Sequence, residues 1–202
     1  MRKVKFQLLA FLFGALSLSF TSCNSDDPEK ENEGEVITDV TLTFTEVNQA
    51  GTAIGTPFEV KASDSNGVGL GNNLTIETIN LVRGKRYQME ISLFNSIGNE
   101  DITKEVKEEG DEHQFFFLGT AVVGSPLMTY TYDDQDKNGN PIGLKGFVQV
   151  VENPSFNNAR LRVILRHDLN KAFPGANNPN FQNFANAGGE TDLDVEFPVV
   201  IN

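Results

Sequence analysis

One segment of the 202-residue chain decides its fold: Tyr87-Gln88-Met89-Glu90-Ile91-Ser92-Leu93. Apolar and polar side chains alternate along it, and a period of two residues is typical of a strand with one buried face. Residues 38–47 alternate in the same way, with Val40, Leu42 and Phe44 pointing to one side. Both segments therefore predict half-buried β-strands.

Similar short segments follow through the rest of the chain. Strands are predicted at residues 58–62, 74–81, 114–118, 128–132, 144–151, 159–167 and 192–200. Between residues 99 and 111 the period changes, and Asp101 and Gly110 suit the start and end of a short acidic helix. Residues 173–189 form a long irregular segment, a feature that is usually functional or disordered. Many short strands with Gly and Asn turns predict an all-β fold, a β-sandwich with one short helix.

The turn Arg83-Gly84-Lys85 precedes the alternating strand. A glycine turn followed by a Tyr-x-Met-x-Ile-x-Leu strand resembles the immunoglobulin-like modules of bacterial surface proteins. The resemblance implies an immunoglobulin-like sandwich over residues 37–202.

The first 22 residues have the layout of a secretory signal peptide. Arg2, Lys3 and Lys5 precede an apolar run of 13 residues, 8–20. That run is shorter than the roughly 20 residues that a membrane-spanning helix needs. It stops just before Cys23, the single cysteine of the chain. The arrangement resembles bacterial lipoproteins, which implies that Cys23 is lipidated and becomes the first residue of the mature chain.

The residues after the cysteine predict a cellular location and a flexible tether. The sequence Cys23-Asn24-Ser25-Asp26-Asp27-Pro28-Glu29 resembles the acidic signal that sends lipoproteins of Bacteroidota to the outer leaflet. The resemblance implies an outer-membrane protein, lipid-anchored and exposed at the cell surface. Residues 23–36 are acidic and poor in apolar side chains, so they are predicted to be a flexible tether. The net charge of −12 argues against nucleic acid as a partner.

The sharpest local motif is an acidic turn. Asp134, Asp136 and Asn138 alternate before Gly139 and Asn140. Calcium loops space oxygen ligands at every second residue and place a glycine sixth, so these residues predict a calcium site. Position twelve is Lys145 rather than Glu, so the loop is not an EF-hand. The competing interpretation is a plain hairpin turn, since Asn-Gly between two strands favours one. Glu190, Asp192 and Asp194 on the last strand could supply this loop with a distant ligand.

The two histidines of the chain form a second candidate site. His113 and His167 each stand at the edge of an apolar strand and beside acids, Glu112 for the first and Asp168 for the second. If the two strands pair, the imidazoles could meet and bind Zn, Cu or Fe, with a carboxylate such as Glu112 completing the set. The competing interpretation is two unrelated strand-end histidines. No motif assigns a cofactor, and calcium and a transition metal are the two candidates.

The motifs of the second half of the chain resemble a family of small Bacteroidota lipoproteins. They are the segment from Asp101 to Phe117, the acidic turn and Leu165-Arg166-His167. Some such lipoproteins accompany TonB-dependent outer-membrane receptors. The leading hypothesis is therefore an accessory or binding module, not an enzyme, that captures a metal or metal complex or docks on a receptor. The alternatives are a calcium-stabilised structural or adhesive surface protein and, third, a hydrolase.

Overall fold

The computed structural model describes residues 35–69 and 73–202. The predicted signal peptide of residues 1–22, the predicted lipidation site Cys23 and residues 24–34 of the predicted tether lie outside the described residues. The described residues form ten strands and one α-helix: β1 (Asp39–Val47), β2 (Phe58–Ser63), β3 (Thr75–Ile76), β4 (Ile79–Leu81), β5 (Arg86–Phe94), α1 (Ile102–Glu108), β6 (His113–Leu118), β7 (Met128–Tyr132), β8 (Lys145–Val150), β9 (Asn158–His167) and β10 (Glu190–Ile201). No helix among them is long and apolar enough to cross a bilayer.

The strands form two sheets, so the chain is an all-β sandwich with one short helix, as the sequence predicts. Six strands make the first sheet in the order β3-β2-β1-β5-β8-β7, and four make the second in the order β4-β10-β9-β6. Neighbouring strands run antiparallel except β4 and β10, which are parallel.

In the alternating segments, the buried side chains are the apolar ones, as the sequence predicts. Val40, Leu42 and Phe44 of β1 are fully buried. Across from them, Phe115 and Phe117 of β6 join the same central core. Burial of such large apolar side chains, at about 1.5–3 kcal/mol each, is the main force that holds the two sheets face to face.

The single strand predicted at residues 74–81 is wrong. The segment forms two short strands, β3 in the first sheet and β4 in the second. Glu77 lies between them, and its backbone N–H donates to the Lys61 carbonyl while its carboxylate accepts from the Lys61 N–H at 2.8 Å. The chain therefore crosses from one sheet to the other at a point where alternation gives no signal of a break.

The helix α1 starts where the sequence indicates. The Asp101 side chain accepts from the Lys104 backbone N–H at 3.3 Å, which satisfies one of the free donors of the first turn. Ile102 and Val106 face the core. The C-cap is Glu109, one residue before the predicted Gly110.

The long segment of residues 173–189 packs against the outer face of the second sheet. It includes a 3₁₀ helix at Phe184–Ala187. Phe181 and Phe184 contact Phe116 of β6, with ring centroids 6.3 and 5.9 Å apart. This small second core explains why β6 is buried on both faces, and it gives the phenylalanine-rich segment a packing role.

Candidate metal centre

Two histidines meet at one end of the four-stranded sheet. His113 is the first residue of β6, His167 is the last of β9, and the antiparallel register pairs them directly. Their imidazole rings stack with centroids 4.4 Å apart and 19° between the ring planes. Both are buried, and His113 is 0% exposed. Strand pairing therefore brings together the two residues that the sequence offers as one candidate site.

A third side chain reaches the pair from β10. The pairing of β9 with β10 shifts between Thr191 and Leu193, so Asp192 is the extra residue of a β-bulge, which re-aims its side chain. Asp192 Oδ2 lies 3.9 Å from His113 Nε2 and 3.9 Å from His167 Nδ1, with 2% of the side chain exposed. The sequence offers Asp192 as a ligand of the acidic turn, whereas the structure places its carboxylate beside the two histidines.

A glycine allows β10 to begin close to His167. Gly189 has a φ of +70°, and a Cβ there would lie 1.9 Å from the His167 carbonyl oxygen. Such an approach leaves no room for a side chain. The Gly188-Gly189 pair before the strand is thus the sequence signal for the geometry that aims Asp192.

A fourth side chain comes from the start of the described chain. Glu35 Oε1 lies 3.3 Å from His113 Nε2, and 10% of the Glu35 side chain is exposed. Two residues later the chain is fixed to the sandwich, because the Ile37 carbonyl accepts from the Val68 N–H at 2.7 Å. The sequence places Glu35 in the tether, and no local pattern there points to a distant histidine.

The other ring nitrogen of His113 sets its tautomer. His113 Nδ1 lies 3.1 Å from the backbone carbonyl of Glu109, and a carbonyl can only accept. Nδ1 therefore carries the proton in the neutral ring, and the lone pair of Nε2 faces Glu35 and Asp192. Metal-binding histidines are commonly oriented by such a backbone contact.

Three atoms at this point are buried without a hydrogen-bond partner among the described residues. They are His113 Nε2, Asp192 Oδ2 and Glu35 Oε2. Leaving a buried polar atom unpaired costs about 1–3 kcal/mol, so three such atoms close together make this cluster a candidate ligand site. Glu35, His113 and Asp192 each offer one ligand atom, and these atoms lie within 4.8 Å of one another.

The electrostatics of the cluster favour a cation. Burial and the neighbouring Glu35 both raise the pKa of Asp192 above its ordinary value. Burial alone would lower the pKa of His113, but Glu35, the Glu109 carbonyl and Asp192 outweigh it and raise the pKa. The raised pKa of His113 comes from the carboxylates and the carbonyl around it, whereas that of Asp192 comes first from burial and then from Glu35.

The predicted partner Glu112 lies on the other side of His167. Its Oε2 is 3.7 Å from His167 Nε2, and Asp168 Oδ1 is 3.8 Å from the same nitrogen. Glu112 therefore approaches one histidine of the pair, whereas Asp192 lies near both.

The carboxylates of the acidic turn accept hydrogen bonds from backbone N–H groups of the same loop and of the strand that follows it. Asp134 accepts from the Gly143 N–H at 2.7 Å and from the Lys145 N–H at 3.0 Å. Asp136 Oδ1 accepts from the backbone N–H groups of Asn138 and Asn140 at 2.8 and 2.9 Å. The calcium site stays a prediction, and these bonds give the same oxygens a structural role.

A lysine ammonium lies beside this turn. Lys171 Nζ is 3.2 Å from Asp136 Oδ2 and donates to the carbonyls of Pro141, at 2.9 Å, and Gly110. The side chains of Lys171 and Asp136 are 4% and 1% exposed. Lys171 thus supplies the positive charge that a calcium ion would bring.

The Asp136 carboxyl predicts a pH dependence of stability. Burial would raise its pKa, but the N–H groups of Asn140 and Asn138 and the ammonium of Lys171 lower it below its ordinary value. Such a carboxyl stabilises the fold above its unfolded pKa, and that stability is lost as the pH falls through the lower folded pKa. We expect the stability difference between the wild type and Asp136→Asn to be full above about pH 5 and to shrink below about pH 4. Urea unfolding at pH 7 and pH 3 measures it, and a larger difference at pH 3 contradicts the assignment.

Comparisons with known proteins assign no function to this chain. No protein-family model and no curated protein matches the chain. Among solved structures, the chain is similar to a nucleoside hydrolase-related hypothetical protein from Saccharophagus degradans that is associated with carbohydrate metabolism. The two are 15% identical, with a TM-score of 0.29 over 68% of this chain, and the chain spans 26% of that structure. A likeness at this level carries no argument about activity.

Proposed function

We propose that this chain is a lipid-anchored binding module of the bacterial outer membrane whose sandwich captures a divalent transition metal. The observation that carries the metal assignment is the convergence of Glu35, His113 and Asp192, whose ligand atoms lie within 4.8 Å of one another. His113 Nε2 and Asp192 Oδ2 are buried there without a hydrogen-bond partner among the described residues. Nitrogen from imidazole together with carboxylate oxygen is a donor set that Zn²⁺ and Fe²⁺ accept.

The position of the cluster suits capture rather than catalysis. His113 Nε2 and Asp192 Oδ2 are buried at the end of the sandwich, where strands β6, β9 and β10 meet. A catalytic metal needs an open coordination position that substrate reaches, whereas the His113 and Asp192 ligand atoms of this cluster are buried from solvent. We therefore place the chain among binding proteins.

The leader supports the proposed location. Arg2, Lys3 and Lys5, the apolar run and Cys23 are the parts of a lipoprotein signal, and Asp26 and Asp27 follow it. A mature lipoprotein of this kind would hold the sandwich at the membrane surface through acyl chains on Cys23. Docking on an outer-membrane receptor is the partner that the lipoprotein resemblance suggests.

The competing occupant of the cluster is a proton. A protonated His113 between Glu35 and Asp192 would form a buried ion pair that needs no metal. The two occupants predict different responses, because a metal-binding site stabilises the fold increasingly as the metal concentration rises above the dissociation constant, with a logarithmic dependence.

Addition of Zn²⁺ is expected to raise the melting temperature of the chain. At 100 times the dissociation constant a ligand contributes about 2.7 kcal/mol, which for a chain of this size is a rise of roughly 5–10 °C. Asp192→Asn should lose most of that rise, because a neutral amide is a poor ligand. Asp194→Asn is the matched control, since Asp194 is on the same strand and pairs with Arg162 at 2.5 Å. Thermal melts that rise equally in wild type and Asp192→Asn would rule out this site.

The acidic turn favours a second, structural role for that region. Its bonds to backbone N–H groups and to Lys171 brace the loop between β7 and β8. A purely structural or adhesive surface protein would use such a brace without any bound transition metal.

A further inference from the structure

Arg166 is a buried cation beside the β-bulge of β10. It directly precedes His167 on β9, and the strand register pairs it with Thr191, the residue of β10 directly before Asp192. The bulge begins after this pair, because the next residues in register are Leu193 and its partner on β9. Arg166 therefore lies at the point where the chain turns the Asp192 carboxylate toward the histidines.

The guanidinium of Arg166 is hydrogen-bonded to the segment that leads into the bulge. Nη2 donates to the carbonyls of Gly188 and Gly189 at 2.6 and 2.5 Å, and Nη1 donates to Thr191 Oγ1. The two glycines have φ values of +83° and +70°. Because glycine has more backbone freedom than any other residue, such a pair needs outside contacts to keep one conformation. Arg166 supplies three of them from a single side chain.

The acceptors of Arg166 are neutral, although a buried charge is usually paired with an opposite one. Among the described residues, its hydrogen bonds go to two carbonyls and a hydroxyl, and it has no carboxylate partner. Burial lowers the pKa of Arg166, while the charge of Asp192, followed by that of Glu190, acts in the opposite direction. Asp192 is thus the carboxylate whose charge acts most strongly on this cation.

A purely structural role for Arg166 is the competing explanation. Its Cζ lies 5.6 Å from the ring centroid of Phe184, in the phenylalanine-rich segment that packs on the outer face of the sheet. An arginine that only attached this segment would affect the stability of the fold. It would leave the direction of the Asp192 side chain unchanged.

We propose that Arg166 is a positioning residue of the metal site. Its guanidinium fixes the backbone from Gly188 to Thr191, and this holds the Asp192 carboxylate near both imidazoles, 3.9 Å from a nitrogen of each. The inference rests on the proposed function, in which Asp192 is a metal ligand. Residues that orient a metal ligand without touching the ion contribute about 10–100-fold to metal affinity.

The test compares Zn²⁺ and Co²⁺ binding by variants of the full chain purified in detergent. Arg166→Met should raise the dissociation constant for Zn²⁺ about 10–100-fold, because the carboxylate loses its fixed direction. At saturating Co²⁺, a spectroscopic substitute for Zn²⁺, it should lose the wild-type visible spectrum in the same way as Asp192→Asn. Arg162→Met is the matched control on the same strand. Its partner is Asp194, at 2.5 Å, so it should keep the wild-type affinity and spectrum.

A second variant decides the matter if the urea midpoint shows that Arg166→Met does not fold. Thr191→Val removes one acceptor of the guanidinium at an exposed position, and it should weaken Zn²⁺ binding by a smaller factor. Unchanged affinity in that variant would then overturn the positioning role.

The remaining outcomes separate this inference from the proposed function. A folded Arg166→Met with wild-type affinity would overturn the positioning role and leave the metal site in place. Weaker binding with an unchanged Co²⁺ spectrum would also overturn it, because Asp192 would still bind the ion in the same way. A wild-type chain that binds neither Zn²⁺ nor Co²⁺ would overturn the proposed function together with this inference.

Discussion

Replacing both histidines, by His113→Ala together with His167→Ala, is expected to weaken Zn²⁺ binding more than about 100-fold. Loss of an outer partner of a metal ligand alone costs about 10–100-fold in affinity, and this variant removes the imidazoles themselves. The two rings stack at 4.4 Å and share Asp192 between them, so no neighbouring nitrogen replaces them. Competition titration against a chelating dye measures the change in the dissociation constant.

Two controls separate lost ligands from lost folding. Glu112→Gln alters a half-exposed side chain that approaches His167 alone, so its affinity should fall less than that of the double variant. The urea midpoint of the double variant shows whether the sandwich persists. A folded double variant that still binds Zn²⁺ with wild-type affinity would remove the histidines from the site.

Lys171→Met is expected to lower the free energy of unfolding by about 3–5 kcal/mol, because it leaves the buried Asp136 carboxylate without its cation. Lys171 also donates to the carbonyls of Gly110 and Pro141, so the change frees acceptors on two segments, the end of α1 and the loop between β7 and β8. For a chain of this length the melting temperature should fall by about 10 °C. Urea and thermal unfolding measure both quantities.

Two further variants test whether the lost stability comes from the buried Lys171–Asp136 ion pair. Lys137→Met breaks an ion pair with Asp111 in which the Lys137 side chain is 71% exposed, so it should change the free energy of unfolding far less than Lys171→Met does. Adding Asp136→Asn to Lys171→Met should recover part of the loss, because the unpaired charge is removed. A double variant that is less stable than the sum of the two singles would contradict the ion-pair explanation.

The sandwich follows from the sequence because burial on one face of a strand leaves a period of two. Tyr87, Met89, Ile91 and Leu93 are all buried in β5, and the capping Asp101 starts α1 as expected. The sequence does not predict the crossing at Glu77, because the alternation of residues 74–81 continues through the change of sheet. The immunoglobulin-like arrangement stays a prediction.

Half of the site is visible in the sequence. His113 and His167 are the two histidines of the chain. Each is predicted at the end of a strand and beside acidic residues, which suggests that they form one site. The sequence offers Asp192 as a ligand of the acidic turn, because the β-bulge that turns it toward the histidines leaves no mark in the sequence pattern. Glu35 and Glu109 belong to segments far from His167 in the chain, and only tertiary packing brings their carboxylates close.

The most direct test of the metal site is a crystal of the Zn²⁺-loaded chain, with anomalous diffraction measured above and below the zinc absorption edge. The proposed site predicts a zinc peak bound by His113 Nε2 and Asp192 Oδ2 at about 2.0–2.2 Å. The same peak should have a Glu35 oxygen among its ligands. A map in which zinc is absent from this end of the sandwich, or lies only at the turn of Asp134 and Asp136, would contradict the proposed function.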